Sequence, residues 1–475
     1  MRVAGLITLG ILVWAGQAQA QDKPQSARAQ AQEAGGQHPK GEPKAGAATA
    51  GATLKLPVQR ERLDNGLRVV MSVDHSAPTV AVAITYDVGS ADEPQGKGGM
   101  AWLAAQMMFE GSKNVAAGEH RRLVAARGGQ SAARVSADLS SFVSVLPAGD
   151  LELALWLEAD RMRALKVSEA SFAEQRRAAV AALGAPDAPG GSAALRSRLG
   201  ELVFEGYAPY AHPARGTAAA LESAEIGWVR EIVALYGPER AVLSVVGDVE
   251  PAQVMALVRR HFAGIAAHPA VVRREAVLPE QTGQRTAVPK DGSGRLPALI
   301  QGWAVPPMRH ADYPALTVAA EVLGGGEGAR LHRLLVLERG MAREARAGVE
   351  ARRGPGLLAI EVGLLGAEKV AEAEKTIGAE IQALATRGPG EVDLARAKTR
   401  ACAEELLEMQ PSEARAVRLG EAELLLGDAG QLGERCTRLG AVSREDVQRV
   451  VRAYLTPARS SVVEVAPRGG EESRR

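Results

Sequence analysis

The stretch VREIVALYGPERAVLSVV, residues 229–246, decides the fold, because its order of parts returns about 218 positions later as VQRVVRAYLTPARSSVVEV, residues 447–465. In each copy, apolar residues at helical spacing run to a tyrosine, Tyr236 or Tyr454. A proline that cannot continue a helix follows (Pro238, Pro457), then a β-branched run at 241–246 or 461–465. Further inward, the helix-like segment 151–162 follows a strand-like run at 134–146, as segment 367–386 follows 356–362. Repetition at this period implies two similar domains in tandem.

Working outward, Asn65-Gly66 supplies a turn that accepts positive φ between two strand-like runs, so the first element reads as a hairpin. Residues 79–88 are rich in Val, Ile and Thr and read as a strand. Residues 98–109 switch to helical spacing, with Met100, Leu103, Met107 and Met108 available for a buried face. Strands and helices interleave without one-to-one alternation. The expectation is an α+β fold of two tandem homologous domains, each a mostly antiparallel sheet with helices packed on one side.

The ends set the expected boundaries. Arg2, the apolar run 3–14 and Ala18-Gln19-Ala20 read as a signal peptide over 1–20, which places the mature chain in the periplasm or outside the cell. No other segment offers the roughly 20 apolar residues of a membrane span. Residues 21–55 are almost devoid of large apolar side chains and read as a disordered tether. The domains then occupy 56–266 and 293–468, joined by a proline-punctuated linker at 267–292 and followed by a tail at 469–475.

Composition excludes some functions. With 57 basic and 56 acidic residues the net charge is +1, and aromatics are only 3%, so neither a polyanion-binding surface nor a base-stacking platform is indicated. Cys402 and Cys436 are too few for a thiolate zinc site, and leave open two core thiols or one bridge.

Several dispersed motifs resemble the insulinase-like (pitrilysin-type) zinc peptidase family, over about 58–467. They are Leu63-Asp64-Asn65-Gly66-Leu67, Val88-Gly89-Ser90-Ala91-Asp92-Glu93, the helix 150–162 ending Glu158-Ala159-Asp160-Arg161-Met162, and Val246-Gly247-Asp248-Val249. In the second half they are Gly302-Trp303, Asp312-Tyr313-Pro314 and the run from Gly324 to Leu331. The resemblance implies a helix carrying H-x-x-E-H, two imidazoles for zinc and a glutamate that activates water. Here Met107, Phe109 and Gly111 keep that motif's register, and its three functional positions are Trp102, Ala105 and Gln106.

The third ligand implied by the resemblance is a glutamate about 75 residues further on, after the position of Phe172, where a catalytic zinc would complete three protein ligands. Residues 178–183 contain no carboxylate there. The strand expected beside substrate reads Ala132-Ala133-Arg134-Val135 in place of Asn-Ala-x-Thr. Glu119-His120 mimics the end of a metal motif but has Ala116 where its partner should be, His212 sits in a loop of structural type, and the remaining histidines are scattered. No catalytic residue, metal or other cofactor is therefore expected.

What remains is a glycine run, Gly324, Gly325 and Gly326, followed by Arg330, with Arg343 where two-chain relatives carry a tyrosine. The glycines and arginines either hold substrate or merely shape a domain turn. The expected function is that of an exported noncatalytic homologue, partner to an active zinc peptidase chain of the same family and helping to hold a peptide or unfolded protein. The alternatives are a scaffold without peptide handling and a peptidase with relocated ligands.

Overall fold

The computed structural model describes residues 56–184, 192–269, 273, 276–288 and 296–465. The expected signal peptide, the tether, parts of the connector and the tail lie outside them. All described residues belong to one compact unit, Thr49–Arg475.

Two sheets organise the chain. The first is built from β1 (Gln59–Arg62), β2 (Arg68–Val73), β3 (Thr79–Tyr86), β4 (Gln130–Val135), β5 (Ser140–Pro147) and β6 (Ala241–Gly247), in the order β1-β2-β6-β3-β5-β4. The second contains β7 (Arg285–Ala287), β8 (Ala298–Val305), β9 (Ala342–Glu350), β10 (Gly356–Leu364) and β11 (Ser461–Val465), in the order β7-β11-β8-β10-β9. Setting β1 aside, the orders correspond strand for strand. In both, the first pair of the series is parallel, β2 with β6 and β7 with β11, and the other pairs are antiparallel. The duplicated helix–proline–strand motif ends in the equivalent strands β6 and β11.

The Asn65-Gly66 hairpin forms as expected: Gly66 has φ +92°, and Arg62 pairs with Arg68 across it. The run 134–146 is not one strand. It is β4 and β5 joined by a turn in which Ser136 N–H donates to the Leu139 carbonyl at 2.8 Å, so the alternation of residue types reads straight through a chain reversal.

In the first half, α1 (Met100–Met107), α2 (Glu119–Ala126), α3 (Leu151–Ala164), α4 (Glu169–Gly184), α5 (Ser192–Val203), α6 (Ala218–Glu222), α7 (Ile226–Val233) and α8 (Pro251–Phe262) follow in order. The second half has α9 (Tyr313–Gly324), α10 (Arg330–His332), α11 (Val370–Arg387), α12 (Glu391–Glu408), α13 (Ser412–Leu425), α14 (Gln431–Ala441) and α15 (Arg444–Tyr454).

Strand alternation gives each sheet two apolar faces. On the first sheet, Val82, Ile84, Leu243 and Val245 meet α1, α3, α7 and α8 through Leu103, Leu155, Val229 and Val258. The opposite face, with Val70, Ala83, Val242 and Val246, is covered by Ala416, Val417 and Leu419 of α13, a helix of the second half. The exchange is reciprocal. Leu195, Leu199 and Val203 of α5 cover Ile300, Leu357 and Val463 of the second sheet, whose other face carries α9, α11, α12 and α15. At about 1.5–3 kcal/mol for each fully buried aliphatic side chain, the two crossing helices are a large part of what joins the halves. The expected single helical layer on each sheet thus has a second cover that the sequence did not announce.

Both crossing helices seat on small residues. A Cβ on Gly420 of α13 would lie 2.5 Å from Thr85 Oγ1, and one on Gly302 of β8 would lie 2.8 Å from Leu199 Cδ2. A disulfide between Cys402 of α12 and Cys436 of α14 closes a loop whose passenger is α13. The turn between β9 and β10 also grips the first half. Arg353 pairs with Asp87 at the end of β3, its N–H donates to Asp138 at 2.8 Å, and the Tyr210 hydroxyl donates to the same carboxylate at 2.8 Å. Arg273 adds a second cation on Asp87 and Asp92.

Candidate functional site: an eroded metal helix beside an open sheet edge

The helix that would carry the metal motif is α1. It is almost wholly buried because it packs under the first sheet with Met100, Leu103, Ala104 and Met107 inward. Glu93 fixes its start, accepting the Gly99 N–H at 3.0 Å and the Ala101 N–H at 2.7 Å. Burial pushes the Glu93 carboxyl up to about 8 against those two donors.

Trp102 and Gln106 are four residues apart, so they share one face of α1. Trp102 is nearly buried, with the exposed Arg215 guanidinium 5.4 Å from its ring centroid. Ala105 is fully buried and Gln106 half-buried. Helix α4 packs beside α1 and carries only alanine, valine and leucine over 178–183.

Beyond the end of α1, Glu110 Oε1 accepts from Gln175 Nε2 at 2.9 Å, and burial, then Glu174, raises its carboxyl above the usual range. A zinc ion needs about three imidazole, thiolate or carboxylate donors converging on one point. An indole ring, a methyl group and a primary amide do not fit it, and among the described residues no group of three or more such donors converges anywhere.

The histidines give no alternative. His120 is buried edge-on to Phe109 with ring centroids 5.3 Å apart, and burial, then Arg161 and Arg121, holds its imidazole down at about 2. His212 lies 3.7 Å from Glu93, and burial lowers it too. His75 pairs with Asp248 and His261 with Glu152.

Beside α1, β4 is the margin of the first sheet. Its only charged residue is Arg134, so this edge lacks the charges that usually block pairing with another strand. The equivalent margin of the second sheet, β9, carries Arg343, Glu344, Arg346 and Glu350.

The structure explains the glycine run by packing. A Cβ on Gly324 would collide with the Ala347 amide of β9 at 2.2 Å; Gly326 has φ +77° and lies under the Arg400 guanidinium; Arg396 donates to the Gly325 carbonyl at 3.0 Å. Burial, then Glu404, pushes nearby Glu321 up to about 7. Arg330 is drawn inward, donating to Asp393 at 2.8 Å with Glu380 at 3.6 Å. Arg343 stands about 13 Å along β9 from Ala347, donating to the Leu364 carbonyl at 3.2 Å across Gly363. The candidates are thus divided between a packed corner and a sheet margin. Arg215 over Trp102 was not among them; nothing in its local pattern marks it, since its partner is more than 100 positions away.

Comparison with known proteins supplies the affiliation. The profile described as "Insulinase (Peptidase family M16)" matches residues 68–198, and that described as "Peptidase M16 inactive domain" matches 233–401. The chain belongs to the insulinase-like M16 peptidase family. The zinc protease PqqE of Helicobacter pylori is 29% identical over 292 residues, covering 60% of this chain and 64% of the relative, just under two thirds of its length. An uncharacterized zinc protease of Mycobacterium tuberculosis is 24% identical over 434 residues, 88% of this chain and 95% of the relative. The crystal structure of a protease from Helicobacter pylori superposes with a TM-score of 0.81 at 25% identity, over 87% of this chain and all of that one.

Proposed function

We propose that the protein is a noncatalytic M16 homologue, exported from the cytoplasm, that helps hold an extended peptide for a catalytic chain of the same family. One observation carries the reading: a helix stripped of every metal donor stands next to a sheet edge that has kept its openness. Edge strands recruit peptides through backbone hydrogen bonds that need no reactive side chain. The chain retains what binding requires and lacks what bond cleavage requires. The disulfide is in keeping with an oxidising compartment, as is the signal peptide read at 1–20. We propose domain boundaries at 56–266 and 293–468, with β7 of the intervening connector paired onto the second sheet.

Reconstitution tests the reading. The purified chain should bind an unfolded peptide without cleaving it, with or without zinc, and should raise peptide turnover when mixed with an M16 chain that has an intact H-x-x-E-H. Peptide cleavage by the chain alone, abolished by a chelator, would refute it. Proline at Ala133 in β4 should weaken peptide binding while leaving the fold intact; unchanged binding would remove β4 from the site.

A scaffold role without peptide handling is favoured by a different observation: Arg330 is committed to Asp393 and Glu380. Peptide binding by the purified chain separates the two, since a scaffold shows no saturable binding of an unfolded peptide.

A further inference from the structure

In the second half of the chain, the start of α9, the body of α14 and the first turn of α15 line a pocket of about 460 Å³. Its size lies within the range of small-molecule sites, roughly 300–1,000 Å³. Leu439, Val442 and Met308 give it apolar lining. Four arginines, Arg309, Arg435, Arg438 and Arg449, also line it, against a single acid, Asp446.

Asp446 is already occupied in capping α15, accepting from Ser443 N–H at 3.0 Å and Ser443 Oγ at 2.7 Å. Arg435 and Arg438 each pair with one protein carboxylate, Glu405 and Glu434, and Arg449 pairs with two, Asp312 and Asp446. A guanidinium has five N–H donors, so each retains donors beyond those bonds. Arg309 is exposed and has no ion pair among the described residues.

Tyr313 supplies the second observation. Its side chain is 6% exposed and lines the pocket, yet its hydroxyl has no hydrogen-bond partner among the described residues. Burial pushes the phenol up to about 12, with Arg435 the strongest charge opposing that shift, so the group remains a neutral donor at physiological pH. The ring is buried while the hydroxyl is absent from the fully enclosed, unpartnered polar atoms, so its O–H is free to donate to an acceptor entering the pocket.

We propose that this pocket binds a carboxylate carried on an apolar body, its anionic end received by the Tyr313 hydroxyl and the surrounding arginines and its body by the Leu439–Val442 wall. An inner donor that is neutral, beside guanidiniums already half satisfied, suits a monoanion better than a phosphate dianion. Two sources share this chemistry, a free small acid and the last residue of a peptide chain. The site stands apart from the peptide-holding edge and does not depend on it.

Calorimetry on the full chain tests it with 4-phenylbutyrate, its amide, and the peptide acetyl-Ala-Ala-Phe as free acid and as C-terminal amide. Both acids should bind saturably and both amides should not. Tyr313→Phe, which keeps the buried ring, should weaken acid binding about tenfold, the effect of one hydrogen bond to a charged group, at unchanged melting temperature. Arg438→Gln, at an exposed position, should weaken it as well and flatten its salt dependence. Tighter binding of the peptide acid assigns the site to chain ends, and tighter binding of phenylbutyrate to small acids. Equal binding of acid and amide, wild-type affinity in Tyr313→Phe, or no saturation by either acid up to about 10 mM would overturn the proposal.

Discussion

Gly420 on α13 sits directly against Thr85 on β3, so close that a single added carbon would fall 2.5 Å from the threonine hydroxyl and 3.3 Å from that of Ser244. Glycine inside a helix normally sacrifices about 1 kcal/mol relative to alanine. Here it lets a helix of the second half lie on a hydroxyl-lined patch of the first sheet, where Ser141 Oγ also donates to Thr85 Oγ1 at 3.1 Å. Gly420→Val should therefore destabilise the protein by about 1–3 kcal/mol, the usual range for overpacking. The check is urea unfolding; a neutral or stabilising result would mean that α13 is not seated as described.

The Cys402–Cys436 bridge spans 34 positions. Loop-closure entropy for a loop of that size corresponds to about 3–4 kcal/mol. A Cys402→Ser/Cys436→Ser double variant should lose up to that amount. Its amide exchange should accelerate first over Ser412–Leu425, the helix carried inside the loop. Uniform acceleration across the whole chain would instead indicate a general loss of stability with no special role for α13.

Acid should loosen the same helix. Ser76, through its hydroxyl and amide, and then Arg415 of α13 hold the Asp74 carboxyl down at about 2, from an ordinary 3.8. A folded-state value below the unfolded one gives a contribution that is complete above about 3.8 and is lost as pH falls toward about 2. Asp74→Asn should flatten the pH dependence of the unfolding midpoint within that window and leave it unchanged at neutral pH apart from a constant offset. A parallel curve for the variant would exclude Asp74 as a source.

Metal behaviour follows from the donor set on α1. Zinc and chelators should leave the melting temperature of the natural chain unchanged. Trp102→His with Gln106→His puts two imidazoles one turn apart. The variant should start from a lower melting temperature, because a buried indole is lost, and gain about 1.4 kcal/mol at zinc ten times its Kd. No zinc-dependent shift would mean that the two positions do not share an accessible face.

What could be read from the sequence was what local order encodes. The helix–Tyr–Pro–strand repeat and the Asn65-Gly66 turn are both short-range patterns, and each lies where it was expected. The β4–β5 turn was hidden because Ser136 to Leu139 continues the polar and apolar alternation through the reversal. The crossing of α5 and α13 was hidden for a deeper reason: Leu195, Leu199 and Val203, or Val417 and Leu419, state that a helix has an apolar stripe and not which sheet receives it. The same holds for the candidate site. Trp102, Ala105 and Gln106 were singled out by the family resemblance, which works on neighbouring residues, whereas the neutralisation of Arg330 depends on Asp393 and Glu380, at least 50 positions away.

Since α5 and α13 are exchanged, neither half owns a finished interior. A gene divided within the 267–292 connector would yield two polypeptides, each with one sheet face stripped and greasy, and each should precipitate when made singly. Produced together they should clasp one another and return to solution as a nicked copy of the parent. Covalent continuity through the connector is thus expendable, while simultaneous synthesis of the two halves is not.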